Sequence, residues 1–361
     1  MLQKFKKYAV SRRGRDSLLC FGIVLIAYIA VQAAIAGGAL SSQMKGLLVP
    51  ICAYVVMAIS LNLTVGILGE LSLGHAGFMS VGAFAGIVAT TALAETIPSA
   101  PLRLAAAMLV GGLCAAVAGV LVGVPVLRLK GDYLAIVTLA FGEIIKNIVN
   151  VIYIGMDGSG LHFSLVTQNF TLEEGGKMII SGPIGVSGVK TLSTFTSGVV
   201  LILITVFFVL NLINSRAGRA IMSVRDNKIA ADSIGISVTR YKLLAFVISA
   251  AFAGMAGTLY AMNFSTVTAA KFDFNTSILI LVFVVLGGLG NIWGSIIAAA
   301  LLTLLPELLR EVGDYRMLIY AILLIGMMLF NNSKLKRRLM EQRSLKQMEK
   351  LEQAADGKEG A

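Results

Sequence analysis

Charge is scarce in this chain. Of its 361 residues only 14% are charged, against about a quarter in an ordinary soluble domain. Histidine is nearly missing, with only His75 and His162, and no HExxH pattern occurs. The three cysteines, Cys20, Cys52 and Cys114, lie singly inside apolar stretches, without the paired spacing of zinc or redox sites; they read as small buried hydrophobes. There is no GxSxG, no GxxxxGK[ST] phosphate loop, and no acidic pair at helical spacing inside an apolar stretch. Catalysis of the familiar kinds and ATP hydrolysis by the usual phosphate loop are therefore not expected of this chain. Any ATP that drives it acts on a partner.

What is abundant is apolar sequence, 57% of the chain. A membrane-spanning helix needs roughly 20 mainly apolar residues. Such stretches fall near 17–37, 47–68, 72–94, 104–126, 133–154, 197–213, 243–262, 277–305 and 315–331. The expected fold is all-α, a polytopic transmembrane helix bundle of about 8–10 spans in a lipid bilayer. It divides into a basic cytoplasmic N-terminus at 1–16, a membrane domain at 17–331 and a charged cytoplasmic tail at 332–361. Lys4, Lys6, Lys7, Arg12, Arg13 and Arg15 precede the first apolar run, which ends in a small-residue Ala34-Ile35-Ala36. That combination also suits a signal peptide, but the length favours an uncleaved first helix.

The net charge of +11 collects at the N-terminus, in one internal loop and at Lys334–Arg338, where the positive-inside rule places cytoplasmic segments. Nucleic acid is not expected as a partner, because no stacking platform or groove-reading motif accompanies the charge. Both termini and the loop 214–242, with Arg216, Arg219, Arg225, Lys228, Arg240 and Lys242, are expected inside. The polar, Gly-rich loop 155–196 is expected outside. Two cytoplasmic termini require an even number of crossings. The segment 277–305 is too long for one span, and Gly287-Gly288-Leu289-Gly290-Asn291 interrupts it. Two short crossings or a re-entrant pair of half-helices restores the count. Broken backbone at membrane depth is tolerated only inside protein or beside a water-filled cavity, so Gly287, Gly288 and Gly290 mark either a pathway or a tight helix contact.

Three polar motifs stand out. In Gly69-Glu70-Leu71-Ser72-Leu73-Gly74-His75, between two apolar runs, Ser72, Gly74 and His75 are candidates for a pore-facing element. The alternative is a connecting turn with Glu70 in headgroup water. In the fifth stretch Glu143 and Lys146 lie three residues apart on one helical face, able to pair structurally or to gate a path. In the basic loop, Ile221, Val224, Ala231 and Ile234 fall on one helical face, and Gly235 is placed to stop the helix. That helix suits a groove in another protein, or an anionic lipid surface.

At these motifs the chain resembles the LivM-type permease of branched-chain amino acid ABC transporters. The resemblance rests on Ser72–Phe78, on Gly131–Leu139, on Gly218–Ile236 with its Ala230-Ala231-Asp232-Ser233-Ile234-Gly235-Ile236 core, and on Val285–Gly294. It covers roughly 45–330. It departs after the fifth stretch, where Gly155–Leu161 replaces a Thr-Gly-Gly-Pro-like sequence and Gly182-Pro183-Ile184-Gly185 comes later. The resemblance implies no catalytic residue, metal or cofactor on this chain. It implies partners instead: a second related permease, two ATP-binding subunits and an extracytoplasmic binding protein, in a bacterial inner or plasma membrane. Gly218, Arg219, Arg225, Asp226, Ala230, Ala231, Asp232 and Gly235 would then form the loop that couples to the ATPases, and leucine, isoleucine and valine would be the cargo. Urea, amides, nucleosides or sugars as cargo, or an ion-coupled secondary transporter, are the other readings.

Overall fold

A computed structural model describes residues 21–38, 41–129, 131–157, 160–167 and 176–331. The basic N-terminus and the tail from 332, read above as cytoplasmic, and Cys20 lie outside those residues. The chain divides into two compact units, the first running to Thr303 and the second starting at Leu304.

Of the described residues 76% are helical. Seven helices among the described residues are long and apolar enough to cross a membrane, and the chain is a polytopic α-helical bundle. After a shorter apolar helix α1 (Phe21–Ala36), α2 spans Ser42–Asn62 and widens into a π-helical turn at Leu63–Leu68. Then follow α3 (His75–Ala92), α4 (Ala100–Val126) and α5 (Asp132–Asn150). Helices α6 (Phe195–Asn214) and α9 (Val238–Ala261) flank two short helices, α7 (Arg216–Asp226) and α8 (Lys228–Ser233). Helix α10 covers Phe274–Gly287 and α11 covers Ile292–Leu308. The second unit adds 3-10 turns at Leu309–Tyr315 and α12 (Arg316–Asn331).

Local chemistry sets several of these boundaries. The Ser41 hydroxyl accepts from the Met44 N–H, Thr194 and Ser197 form a reciprocal capping box, and Asp273 accepts from the Thr276 N–H at 2.9 Å. Each satisfies an N–H that a first helical turn leaves orphaned. Helix α2 is central, with 89% of its apolar window buried, whereas α5 has 22% and lies at the periphery.

The core around α3, α4 and α9 is built on small residues. A methyl group added to Gly82 would fall on the Gly254 backbone, and one added to Gly254 would fall on the Gly111 carbonyl and the Ala115 methyl. The Thr258 hydroxyl donates to the Gly82 carbonyl at 2.8 Å. Lipid offers no hydrophobic reason for helices to associate, so close backbone approach and interhelical hydrogen bonds supply it.

Three expectations need correction. The loop after the fifth stretch is not plain polar loop. Strands β1 (Ile152–Asp157), β2 (Gly160–Leu165) and β3 (Lys177–Ser181) form an antiparallel sheet in the order β2-β1-β3. The departing sequence supplies the end of β1 and the start of β2, which pair antiparallel, and α5 stops at Asn150 rather than 154. A second pairing joins β4 (Val186–Ser187) to β5 (Thr266–Val267). Cys114 is exposed on α4, while Cys52 is buried. The basic loop is two helices rather than one, because Asn227 leaves helical geometry (φ −154, ψ 103) and caps α8.

The ends of the bundle are chemically distinct. At one end the sheet, the start of α6 and the end of α9 meet: Leu192 N–H donates to the Met262 carbonyl at 3.1 Å, and the Asn263 amide to the Gly46 carbonyl at 3.1 Å. At the other end α7 and the start of α9 meet the end of α2.

Candidate functional site

The last carbonyls of a helix have no intrahelical partner. At the end of α2 the π turn closes on Gly69, which takes a left-handed φ of 79°. There the Gly66 carbonyl accepts from Arg225 Nη1 at 3.4 Å. Arg225 also forks onto the Asp226 carboxylate at 3.0 and 2.8 Å. One residue beyond Gly69, the Glu70 carboxylate pairs with the Lys242 ammonium. The Lys242 side chain is 7% exposed and that of Glu70 17%. Glu70 is therefore not in headgroup water, as one reading had it, but held by a cation of α9.

The same turn touches the break. The Asn62 Oδ1 accepts from the Gly290 N–H at 2.8 Å, and its Nδ2 donates to the Ser295 hydroxyl at 2.9 Å. A methyl group on Gly287 would sit 2.5 Å from the Ser295 nitrogen. In a continuous helix residues 8 apart are separated by about 12 Å. The chain therefore doubles back at Gly288–Asn291, with Gly288 (φ 97°) and Gly290 (φ 79°) both in the left-handed region. Both arrangements expected from the sequence, two short crossings or a re-entrant pair of half-helices, need the chain to turn back at this break, and it does.

The first two sequence motifs meet each other. Gly74 lies so close to α5 that a methyl group there would strike the Thr138 carbonyl, and Gly142 faces Gly74 in return. The Thr138 hydroxyl accepts from the Leu73 N–H at 3.0 Å, and the Ser277 hydroxyl of α10 accepts from the Ala76 N–H at 3.1 Å. His75 is buried, with Nε2 2.8 Å from the Ser60 hydroxyl. Ser60 in turn gives its carbonyl to the Ser249 hydroxyl, which is also 3.0 Å from Thr64 Oγ1. Ser72 is buried too, and its hydroxyl has no partner among the described residues. Directly after Gly142, Glu143 pairs with Lys146 one turn further along α5, both half-buried. The structure does not bring that pair to the Asn62 cluster.

The basic loop presents a mixed surface. Ile221, Val224 and Ala231 are buried, but Ile234 is 75% exposed, because α8 ends at Ser233 and Ile234 is its cap residue rather than part of the helical face. Ile229 is 80% exposed. Gly218 packs against the end of α6, where a side chain would strike the Leu212 and Ile213 carbonyls. Arg219, Asp226, Ala230 and Asp232 stand at the surface or partly so. Gly235 (φ 84°) ends α8 in a Schellman motif: its N–H donates to the Asp232 carbonyl and the Ile236 N–H to the Ala231 carbonyl, both at 3.0 Å.

Sequence reasoning overlooked Asn62, Ser60, Ser249, Ser277 and Ser295. Asn62 did leave a signal, as a lone amide inside an apolar run, where a strongly polar side chain needs a partner. The serines left none, since a serine can satisfy itself on its own helix. No group of three His, Cys, Asp or Glu side chains able to hold a metal ion occurs among the described residues.

Comparison with known proteins gives this arrangement its context. The family described as branched-chain amino acid transport system / permease component matches residues 43–330. Two similar curated proteins are the high-affinity branched-chain amino acid transport system permease protein LivM of Salmonella typhimurium and that of Escherichia coli. Each is 38% identical over 292 residues, a stretch covering 77% of this chain and 66% of the relative. No solved structure matches. On the strength of a match running from the start of α2 almost to the end of α12, the chain belongs to the family of branched-chain amino acid permease components.

Proposed function

We propose that this chain is the membrane-spanning permease subunit of an ABC importer for leucine, isoleucine and valine. In this reading the loop 215–237 is cytoplasmic and the sheet at 152–187 faces outward in a bacterial inner or plasma membrane. An extracytoplasmic binding protein delivers the amino acid to the sheet side. A second, related permease completes the pathway. Two ATPase subunits, which hold the ATP, seat on the basic loop. The chain itself contributes no catalysis. It changes conformation when the ATPases do.

The observation that carries this reading is the surface of α8. Two isoleucines, Ile229 and Ile234, stand 80% and 75% exposed beside the charged and likewise exposed Lys228 and Asp232. A short helix with apolar anchors and a charged rim is the shape that docks into a groove of a protein partner. The Asn227 cap and the Gly235 stop hold it in one geometry without help from the partner.

The test is the paired substitution Ile229→Glu with Ile234→Glu. The permease is expected to insert and remain monodisperse, because neither side chain packs in the bundle. Recovery of the ATPase subunits with it should fall by roughly tenfold or more, as for interface anchors worth above ~1.4 kcal/mol. Uptake of leucine into proteoliposomes should fall with it. Undiminished recovery of the ATPases removes α8 as their seat. Uptake of urea rather than leucine by the wild-type complex would replace the cargo while keeping the class.

A further inference from the structure

We infer that Arg225 is a positioning residue that ties the loop 215–237 to the reversal between α10 and α11, with the π turn of α2 as the link. The inference rests on the reading above only for the claim that this loop meets an ATPase. The link itself is a series of contacts. Arg225, at the end of α7, donates to the Gly66 carbonyl at 3.4 Å, and its side-chain stem lies over Gly69, where a methyl group would sit 2.6 Å from the Arg225 Cγ. Gly66 lies against Gly290: a methyl group on Gly66 would be 2.9 Å from the Gly290 Cα. Asn62, one turn back, holds the Gly290 N–H and the Ser295 hydroxyl. The Asn62 Oδ1 lies at the same contact, so a methyl group on Gly66 would strike both that oxygen and the Gly290 backbone.

Two features suit the turn to this task. Its wider i to i+5 spacing is rare, and such turns recur at functional sites in α-helices. It is also gripped twice from the loop's flanks, by Arg225 before α8 and by Lys242 through Glu70 after it. A shift of α7 therefore reaches residues 66–70 through Arg225, and one that carries the start of α9 with it reaches them through Lys242 as well. Packed contacts of this kind pass discrete shifts rather than being absorbed, because close-packed interiors do not deform continuously.

The test uses the permease in its assembled complex, with Arg225→Ala, Arg225→Lys and Ser295→Ala. The first readout is amide hydrogen exchange over 288–294. Arg225→Ala should raise exchange there about fivefold, the effect of losing roughly one net hydrogen bond, with the middle of α4 unchanged. Arg225→Lys, which keeps a donor, should restore most of the protection. The second readout is leucine moved per ATP hydrolysed. It should fall roughly tenfold in Arg225→Ala, within the usual range of coupling between sites, while ATPase recovery stays at the wild-type level. Ser295→Ala leaves the Arg225 contact intact and should lower the ratio without changing assembly. Unchanged exchange at 288–294 in Arg225→Ala overturns the link, as does loss of the ATPases from that variant, which would make Arg225 a docking residue. A wild-type complex that moves no leucine sinks the cargo assignment, and the exchange measurement then decides the link by itself.

Discussion

Lys242 illustrates how a single residue changes meaning between sequence and structure. In the sequence it is one of six cations in a basic loop, counted toward orientation. In the fold it is buried in the first turns of α9 and neutralises Glu70 at the end of α2. A buried pair is weak evidence of net stability, but removing one partner strands the other, at a cost of about 3–5 kcal/mol. Lys242→Ala is therefore expected to melt well below wild type in detergent. The exchanged pair Glu70→Lys with Lys242→Glu should recover most of the loss. An unshifted melting temperature for the single variant would mean that the pair bears no load. Asn62 differs, since its demand for partners was legible from the apolar run around it, although the identity of the partners was not. Ser295 is 233 positions away, and nothing local in either segment encodes that meeting.

Helices were the legible elements, because each shows itself locally as a run of apolar residues long enough to span. The reversal was half legible. The glycines at 287–290 announced an interruption, but only the close approach of Gly287 to Ser295 tells a reversal from a kink. The sheet was not legible. The apolar residues of β1 continue the run of α5, so periodicity offers no boundary, and β3 pairs with β1 across residues of low apolar content. Helix packing depends on small residues whose role shows only in context. Gly254 touches both Gly82 and Gly111, so Gly254→Leu has no room to relax and costs at least about 1–3 kcal/mol through backbone displacement. Folded, monodisperse protein should be nearly lost in that variant. Gly22, in α1, has nothing within 4 Å of a would-be methyl, and Gly22→Leu should yield protein as the wild type does. Equal yields from the two would mean that α3, α4 and α9 do not meet through Gly254.

At the scale of the molecule, the two ends of the first unit carry opposite chemistry, and α6 alone connects them between β4 and α7. Its 20 residues span about 30 Å at 1.5 Å per residue, the thickness of a bilayer's hydrocarbon core. If α6 crosses once, the exposed sheet residue Leu161 and the exposed loop residue Ile229 lie on opposite faces of the membrane. The positive-inside rule then assigns the side, because the loop holds Arg216, Arg219, Arg225 and Lys228 while the sheet holds little beyond Lys177. With the native cysteines replaced by Ala, Leu161→Cys should react with a membrane-impermeant maleimide added to intact spheroplasts. Ile229→Cys should react only in inverted vesicles or after permeabilisation. Labelling of both from the same side would contradict a single crossing by α6. It would also remove the sidedness on which ATPase docking at α8 and delivery at the sheet both depend.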